Sequence, residues 1–144
     1  MIRRLVALLV AGLVLSACGS ISAATALRSW VSQSGFTSTA SALHTDAVHS
    51  ATALRDAHSS SNDLHTVCAV MLVDTESANA SLPTPDSQAT TLLSRAYTNF
   101  GAGANQCYRA AANSRQRAVA IASLESAIGA LSEATARIAS ASGS

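Results

Sequence analysis

Residues 60–112 of the chain read SSNDLHTVCAVMLVDTESANASLPTPDSQATTLLSRAYTNFGAGANQCYRAAA. Two runs with helical spacing lie on either side of the linker Leu82-Pro83-Thr84-Pro85, and they carry Cys68 and Cys107 respectively. Proline restricts the residue before it and cannot continue a helix, so the linker is predicted to separate two helices. We therefore expect an antiparallel helical hairpin joined by a disulfide between Cys68 and Cys107.

The composition favours an all-α fold in a single domain. Hydrophobic residues make up 49% of the 144 residues and aromatic residues only 3%, with alanine the commonest apolar residue. Alanine has the highest helix propensity, and an alanine-rich core requires helices that approach each other closely. We predict an up-and-down bundle of four main helices plus a short N-terminal helix, preceded by a cleaved signal peptide.

The first two helices are predicted from apolar residues spaced three and four apart. Residues 23–34 form the short helix, with Gly35 as its left-handed stop. Trp30 is predicted to cap one end of the bundle; the alternative is an exposed tryptophan that binds a partner. Residues 37–58 form the second helix. Its predicted core face consists of Phe36, Ala40, Leu43, Ala47, Ala51 and Leu54.

The remaining helices begin at recognisable capping residues. Ser60 with Asp63 forms a capping-box start for the third helix, and Thr84 with Pro85 predicts the start of the fourth. Asn113 is a weaker start for the fifth, and residues 140–144 are expected to fray. The predicted inward faces are Leu64, Cys68, Met71, Thr75 and Ala78; Leu93, Ala96, Phe100, Ala104, Cys107 and Ala111; and Ile121, Leu124, Ile128, Leu131, Thr135 and Ile138.

Two features of the fourth helix constrain this layout. Gly101 and Gly103 are placed inside it, which close approach to a neighbouring helix would explain. With a third helix ending near Ser81 and a fourth starting at Pro85, the Cα atoms of Cys68 and Cys107 would lie about 12 Å apart. A disulfide requires about 7 Å or less. We therefore predict that the fourth helix begins well beyond the end of the third.

The N-terminus has the organisation of a bacterial lipoprotein leader. Arg3 and Arg4 precede an apolar run over residues 5–15 that is too short to span a bilayer. Leu15-Ser16-Ala17-Cys18 resembles a lipobox, in which the cysteine thiol takes a diacylglyceryl group. We expect residues 1–17 to be a signal peptide, 18–22 a lipidated tether and 23–144 one helical-bundle domain. The alternative is an ordinary signal peptide followed by an unmodified cysteine.

The cysteine count supports the disulfide. The chain has three cysteines, so lipidation of Cys18, with palmitate-type acyl chains, leaves Cys68 and Cys107. In an oxidising compartment two such residues form a disulfide by default. The alternative is a pair of free buried thiols. The predicted location is the extracytoplasmic face of the cell membrane.

Patterns typical of catalysis and of cofactor binding are missing from the sequence. There is no P-loop, no Gly-x-Ser-x-Gly and no lysine. A surface metal site from His58, Asp63 and His65 is conceivable, but no His-x3-His pair or Glu-x-x-His motif supports it. Removal of the leader leaves a net charge of about −1, so no nucleic-acid partner is expected. We predict no enzyme activity, no cofactor and no metal.

Several motifs together resemble a known group of proteins. They are Cys18 of the lipobox, Cys68-Ala-Val-Met-Leu, Leu82-Pro83-Thr84-Pro85-Asp86, Leu92-Leu93 and Ala104-Asn105-Gln106-Cys107-Tyr108. The chain is similar to small uncharacterised lipoproteins of actinobacteria, mycobacteria among them. The resemblance implies a helical bundle, a lipid anchor and a disulfide, and it supplies no activity.

The expected function is therefore that of a membrane-anchored cell-envelope lipoprotein with a non-catalytic structural or protein-interaction role. Its partners would be the membrane, through the N-terminal lipid, and an unidentified protein. The alternative is a binder or carrier of a hydrophobic small molecule or lipid within the bundle core, which predicts an enclosed apolar cavity.

Overall fold

The structure is a computed structural model that describes residues 22–110 and 113–143. The secondary structure in these ranges is helical, which confirms the all-α class. The proposed signal peptide, Cys18 and Ala111 lie outside the described residues. The five helices are α1 (Ala23–Ser34), α2 (Phe36–Arg55), α3 (Ser61–Asn79), α4 (Ser87–Arg109) and α5 (Ser114–Ser142).

Helices α2 to α5 pack around a single hydrophobic core. Each contacts the next along the chain, α5 also contacts α2, and α1 packs across α5 and α2. Small and medium-sized side chains fill the interior, and Phe100, Leu93 and Leu124 are fully buried within it. Trp30 lies at one end of the bundle, where its indole Nε1–H donates to the Ser81 carbonyl at 3.1 Å. Its ring packs on Phe36, with ring centroids 5.5 Å apart. This agrees with the interpretation of Trp30 as a cap.

Three predicted helix boundaries match the structure. Gly35 ends α1 with φ of 64°, a left-handed conformation that favours glycine. The Ser60 hydroxyl accepts from the Asp63 N–H while the Asp63 carboxylate accepts from the Ser60 N–H, which forms the capping box of α3. The Asn113 side chain accepts from the N–H groups of residues 115 and 116 and so caps α5.

Helix α2 ends at Arg55, three residues before the predicted end at His58. The cause is Asp56, whose carboxylate accepts a hydrogen bond from the His58 N–H at 2.8 Å. Such a local bond offers the backbone an alternative to the helix. The Arg117 guanidinium also donates to the Asp56 carbonyl at 2.9 Å, which satisfies an oxygen at the helix end.

The predicted start of α4 at Thr84 and Pro85 is wrong. Asp86 is the N-cap, and its carboxylate accepts from the Ala89 N–H at 2.7 Å. The Thr84 hydroxyl instead donates to the Asp86 carbonyl at 2.6 Å and accepts from its N–H at 3.1 Å. Thr84 is therefore committed to a local turn and is buried there. An acidic cap also gains from the positive end of the helix dipole.

The register between α3 and α4 confirms the prediction made from the cysteines. Helix α3 ends at Asn79 and α4 begins at Ser87. The part of α4 between its start and Cys107 is therefore about 13 Å longer than the part of α3 between Cys68 and its end. The Cα atoms of Cys68 and Cys107 lie 5.8 Å apart, which is disulfide distance.

The predicted inward face of α5 is correct at three of its six positions. Leu124, Leu131 and Ile138 are buried, whereas Ile121 and Ile128 are half-buried and Thr135 is exposed. The other buried residues of the helix are mainly alanines, at positions 120, 127, 130 and 134. Alanine allows the close packing of α5 on α4, because a small side chain keeps the two backbones near each other.

The C-terminal end of α5 is ordered further than expected. The helix continues to Ser142, and Gly143 caps it with φ of 71°. The Arg28 guanidinium of α1 donates to the Ser142 carbonyl at 2.6 Å. This bond satisfies a carbonyl that the end of a helix leaves without a partner, and it ties α5 to α1.

Candidate functional site

One end of the bundle carries the start of the described chain. The hydroxyls of Ser22 and Thr25 are 2.8 Å apart, and Arg28 donates both to Thr25 and to the Ser142 carbonyl, which places Ser22 near the end of α5. The start of α4 lies at the same end, because Arg137 of α5 pairs with Asp86. We call this the tether end. Ser22 is the last of residues 18–22, which are predicted to form the lipidated tether.

A groove begins at the tether end and runs along the surface between α2 and α5. Its first part, between α1, α2 and α5, has a volume of about 730 Å³ and includes Val31, Phe36 and Ile138 in its lining. A second part of about 520 Å³ continues between Ala40, Ile128 and neighbouring residues. The two parts share the lining residues Thr135 and Ala139, so they adjoin along α5. We call the whole the seam groove.

The seam groove is long and open. Its lining on α5 extends from Ser142 to Ile128, about 21 Å at 1.5 Å per residue. It lies on the surface of the bundle, beside a core whose leucine and alanine side chains are buried. Each of its two parts, at about 730 and 520 Å³, has a volume in the range of small-molecule sites.

The ionisable side chains of the groove lie at its two ends. Arg28 lines it at the tether end and His44 at the far end, and none of the described side chains that line it is acidic. The Arg28 guanidinium is held by two hydrogen bonds, to the Ser142 carbonyl at 2.6 Å and to the Thr25 hydroxyl at 3.1 Å. Among residues 22–110 and 113–143, the recorded ion pairs join Arg55, Arg95 and Arg137 to acids, and Arg28 is in none of them.

Some of the hydroxyl groups along the groove, those of Ser38, Thr135 and Ser142, donate hydrogen bonds within the protein. The Ser38 hydroxyl donates to the Gly35 carbonyl at 2.8 Å, and the Thr135 hydroxyl donates to the Leu131 carbonyl at 2.9 Å. Covering these paired hydroxyls with an apolar ligand leaves their hydrogens with an acceptor. The lining also includes the hydroxyls of Ser32, Thr37, Ser41 and Ser132.

The predicted site residues are placed as follows. Cys68 and Cys107 are brought together in the core at 0% exposure each, and Cys18 lies outside the described residues. No three His, Cys, Asp or Glu residues in the described ranges are grouped so that they could hold a metal ion. His65, one of the histidines considered for a metal, stacks on Tyr108 with ring centroids 4.2 Å apart.

Four ionisable groups among the described residues have perturbed pKa values, and none of them lines the groove. Desolvation raises the pKa of Asp46, and the neighbouring Asp74 carboxyl raises it further. Hydrogen bonds from Arg137 and from the Ala89 N–H lower the pKa of Asp86. A hydrogen bond to Asp86 raises the pKa of Arg137. Burial raises the pKa of Tyr97 to about 12, so its phenol stays neutral in the core at neutral pH.

Sequence reasoning did not find the seam groove. The three-and-four spacing of α5 predicts that Thr135 faces the core, whereas Thr135 lines the groove. The available signal was the composition of two helix faces, with small residues at Ala40 on α2 and at Ala136 and Ala139 on α5. Side chains of that size leave space between two helices that larger residues would fill.

The comparisons with known proteins assign no family to the chain. No family model matches it, and neither a curated protein nor a solved structure is found to be similar. Within the described ranges, no helix combines the length and the apolar character needed to cross a bilayer.

Proposed function

We propose that the chain is a membrane-anchored cell-envelope lipoprotein with a non-catalytic structural or protein-interaction role. The observation that carries this proposal is the pairing of Cys68 with Cys107, whose Cα atoms lie 5.8 Å apart. The chain has three cysteines, so this pairing leaves the thiol of Cys18 for lipid. The residue follows an apolar leader segment, and a lipid with more than one acyl chain anchors stably because each buried methylene contributes about 0.8 kcal/mol.

The position of Cys18 supports the same proposal. Cys18 is separated from α1 by only a few residues, and α1 packs on α2 and α5. A lipid at Cys18 would therefore hold the tether end of the bundle against the extracytoplasmic face of the membrane. Up-and-down packing of α2 to α5 would direct the opposite end, with Asp56 and Asn113, away from the membrane.

The non-catalytic role is supported by the distribution of charged groups. The ion pairs Arg55 with Glu125, Arg95 with Glu133 and Arg137 with Asp86 each connect two different helices. Arg28 and His44 are the ionisable side chains of the seam groove, and they lie at opposite ends of it. General acid–base chemistry needs groups within hydrogen-bond reach of one reacting atom.

Lipidation of the full-length chain tests the anchoring proposal. The protein is expressed in a bacterium that processes lipoproteins, with an alkyne-labelled fatty acid in the medium. We expect label in the protein, recovery in the membrane fraction and a mature mass that begins at Cys18. The Cys18→Ala variant should lose all three, whereas the double variant C68A/C107A should keep the label. A mature chain with an unmodified Cys18 thiol would contradict the proposal.

A second candidate function, binding of a hydrophobic small molecule or lipid, is favoured by the seam groove. The groove is predominantly apolar, and its first part has a volume of about 730 Å³. The original expectation placed such a ligand within the bundle core; the groove would hold it at the surface between α2 and α5. Calorimetric titration of the soluble chain with a long-chain alcohol tests this candidate, and absence of heat at saturating ligand would contradict it.

A further inference from the structure

One end of the seam groove carries an arginine, and this residue points to a class of ligand. Arg28 stands at the tether end, held by the Ser142 carbonyl and the Thr25 hydroxyl. The groove has no acidic residue among its described lining. A ligand with one anionic group would meet a positive charge at this end and no negative charge along its length.

The groove is long enough to hold a single acyl chain. From Ser142 to Ile128 it extends about 21 Å, whereas one leaflet of a bilayer contributes about 15 Å of hydrocarbon. An extended acyl chain with its head group at Arg28 therefore fits between the two ends. The wall beyond Arg28 includes Ile138, Ile128 and alanine side chains, which supply apolar contact along that path.

We propose that the seam groove binds a single-chain anionic lipid of the long-chain fatty acid class. The carboxylate lies at Arg28 and the acyl chain runs along α5 toward Ile128. This proposal rests on the second candidate function, because it names the ligand class for the same groove, and it does not depend on lipidation of Cys18. If that anchor is present, the groove opens at the end of the protein nearest to membrane lipid.

The test uses residues 19–144, which contain every helix described. Hexadecanoate and hexadecanol are titrated below their aggregation limits at pH 8, and calorimetry gives affinity and stoichiometry. We expect one hexadecanoate per chain, bound about fivefold more tightly than the alcohol, as an exposed ion pair would provide. The Arg28→Gln variant should bind the acid and the alcohol equally.

A pair of matched variants locates the ligand. Ala136 is exposed and lines the groove, so Ala136→Phe should obstruct the acyl chain of the ligand. We expect the binding of both ligands to weaken about tenfold, as it would on loss of one or two buried methylenes. Ala118 is also exposed on α5 but lies outside the groove lining, so Ala118→Phe should bind like the parent. Far-UV circular dichroism confirms that each variant is folded.

Four results would overturn the proposal. Equal binding of acid and alcohol by the parent chain would remove the role of Arg28 while leaving the second candidate function intact. Absence of binding by both ligands would remove both. Unchanged affinity in Ala136→Phe would place the ligand elsewhere. If the lipidated chain purified from membranes does not bind hexadecanoate while residues 19–144 do, the protein's own acyl chain is the occupant.

Discussion

A Cβ atom on Gly103 would lie 2.8 Å from Cδ2 of Leu124 and 3.4 Å from its backbone nitrogen. Helices α4 and α5 thus come so close at this point that α4 has no space for a side chain. This explains why a glycine is found inside a long helix, where it costs about 1 kcal/mol relative to alanine. The expected close approach holds for Gly103 but not for Gly101, whose Cβ would find Thr75 Cγ2 at an ordinary 3.9 Å.

Replacement of Gly103 by alanine should destabilise the bundle. The gain in helix propensity is about 1 kcal/mol, but overpacking against Leu124 costs about 1–3 kcal/mol. We expect a net loss of about 1 kcal/mol in the free energy of unfolding, measured by urea denaturation. Gly129 is the control, because a Cβ there would have nothing within 4 Å. Gly129→Ala should stabilise by about 0.5–1 kcal/mol. If both variants change the free energy of unfolding in the same direction, the contact with Leu124 does not determine the effect of Gly103→Ala.

The sequence predicted elements whose signals are local and unique. Gly35, the Ser60 and Asp63 capping box and Asn113 each have one plausible role at a helix end, and each was assigned correctly. The start of α4 was not, because Thr84, Pro85 and Asp86 are all good first-turn residues. The choice depends on Thr90, whose hydroxyl accepts from the Thr84 N–H at 2.9 Å across six residues, a contact that local spacing does not reveal.

The face of α5 could be predicted only in part for a related reason. Two stripes of residues along α5 could face the core, and both include Leu124 and Leu131. The first stripe adds Ile121, Ile128 and Thr135, and the second adds the alanines at 120, 127 and 134. Hydrophobicity favours the first stripe, whereas the close approach at Gly103 favours the smaller residues. Burial of the alanine stripe turns Ile128 and Thr135 toward α2, where they line the groove. Helix rotation is a tertiary property, and a spacing pattern with two solutions does not fix it.

Loss of the link between Cys68 and Cys107 should strongly destabilise the protein. The two residues are 39 apart in sequence, and closing a loop of that size is worth about 3–4 kcal/mol in the chain-entropy model. We expect the double variant C68A/C107A to lose an amount of this order in urea denaturation. Dithiothreitol should destabilise the parent chain similarly and leave the double variant unchanged. Two free thiols per unreduced chain in residues 19–144 would contradict the pairing.

The ion pair between Asp86 and Arg137 should make stability sensitive to acid. Arg137 donates to both Asp86 oxygens, at 3.1 and 2.6 Å, and the pKa of Asp86 lies below its ordinary value of 3.8. A depressed folded-state pKa stabilises the protein above the unfolded value, and the contribution disappears as pH falls through the folded value. We therefore expect a decline in the urea midpoint below about pH 4.

Two variants assign that decline to Asp86. Asp86→Ala removes the N-cap and the charge, so it should cost about 1 kcal/mol at pH 7 and less at pH 2. Arg137→Gln leaves the cap but removes the paired cation, so the pKa of Asp86 should return toward 3.8, as NMR titration of its carboxyl carbon would show. A pKa of Asp86 that does not move in Arg137→Gln would exclude this pairing as the cause.

Asp46 should affect the pH dependence of stability in the opposite sense to Asp86. Its Oδ2 atom is buried without a hydrogen-bond partner. Desolvation and the neighbouring Asp74 carboxyl raise its pKa above the ordinary 3.8, and His49 partly offsets them. A raised folded-state pKa gives a contribution that is present below the unfolded value and is lost as pH rises through the folded value. Ionised Asp46 is therefore a source of instability at pH 7.

Asp46→Asn tests this sign. The uncharged amide removes the repulsion and can donate to Asp74, so the variant should be more stable than the parent at pH 7. The gain should shrink toward pH 3, where the parent's carboxyl is protonated. Asp74→Asn should also stabilise at pH 7, and the two changes should be less than additive because each removes the same repulsion. A gain from Asp46→Asn that is equal at pH 3 and pH 7 would show that packing, rather than charge, is responsible.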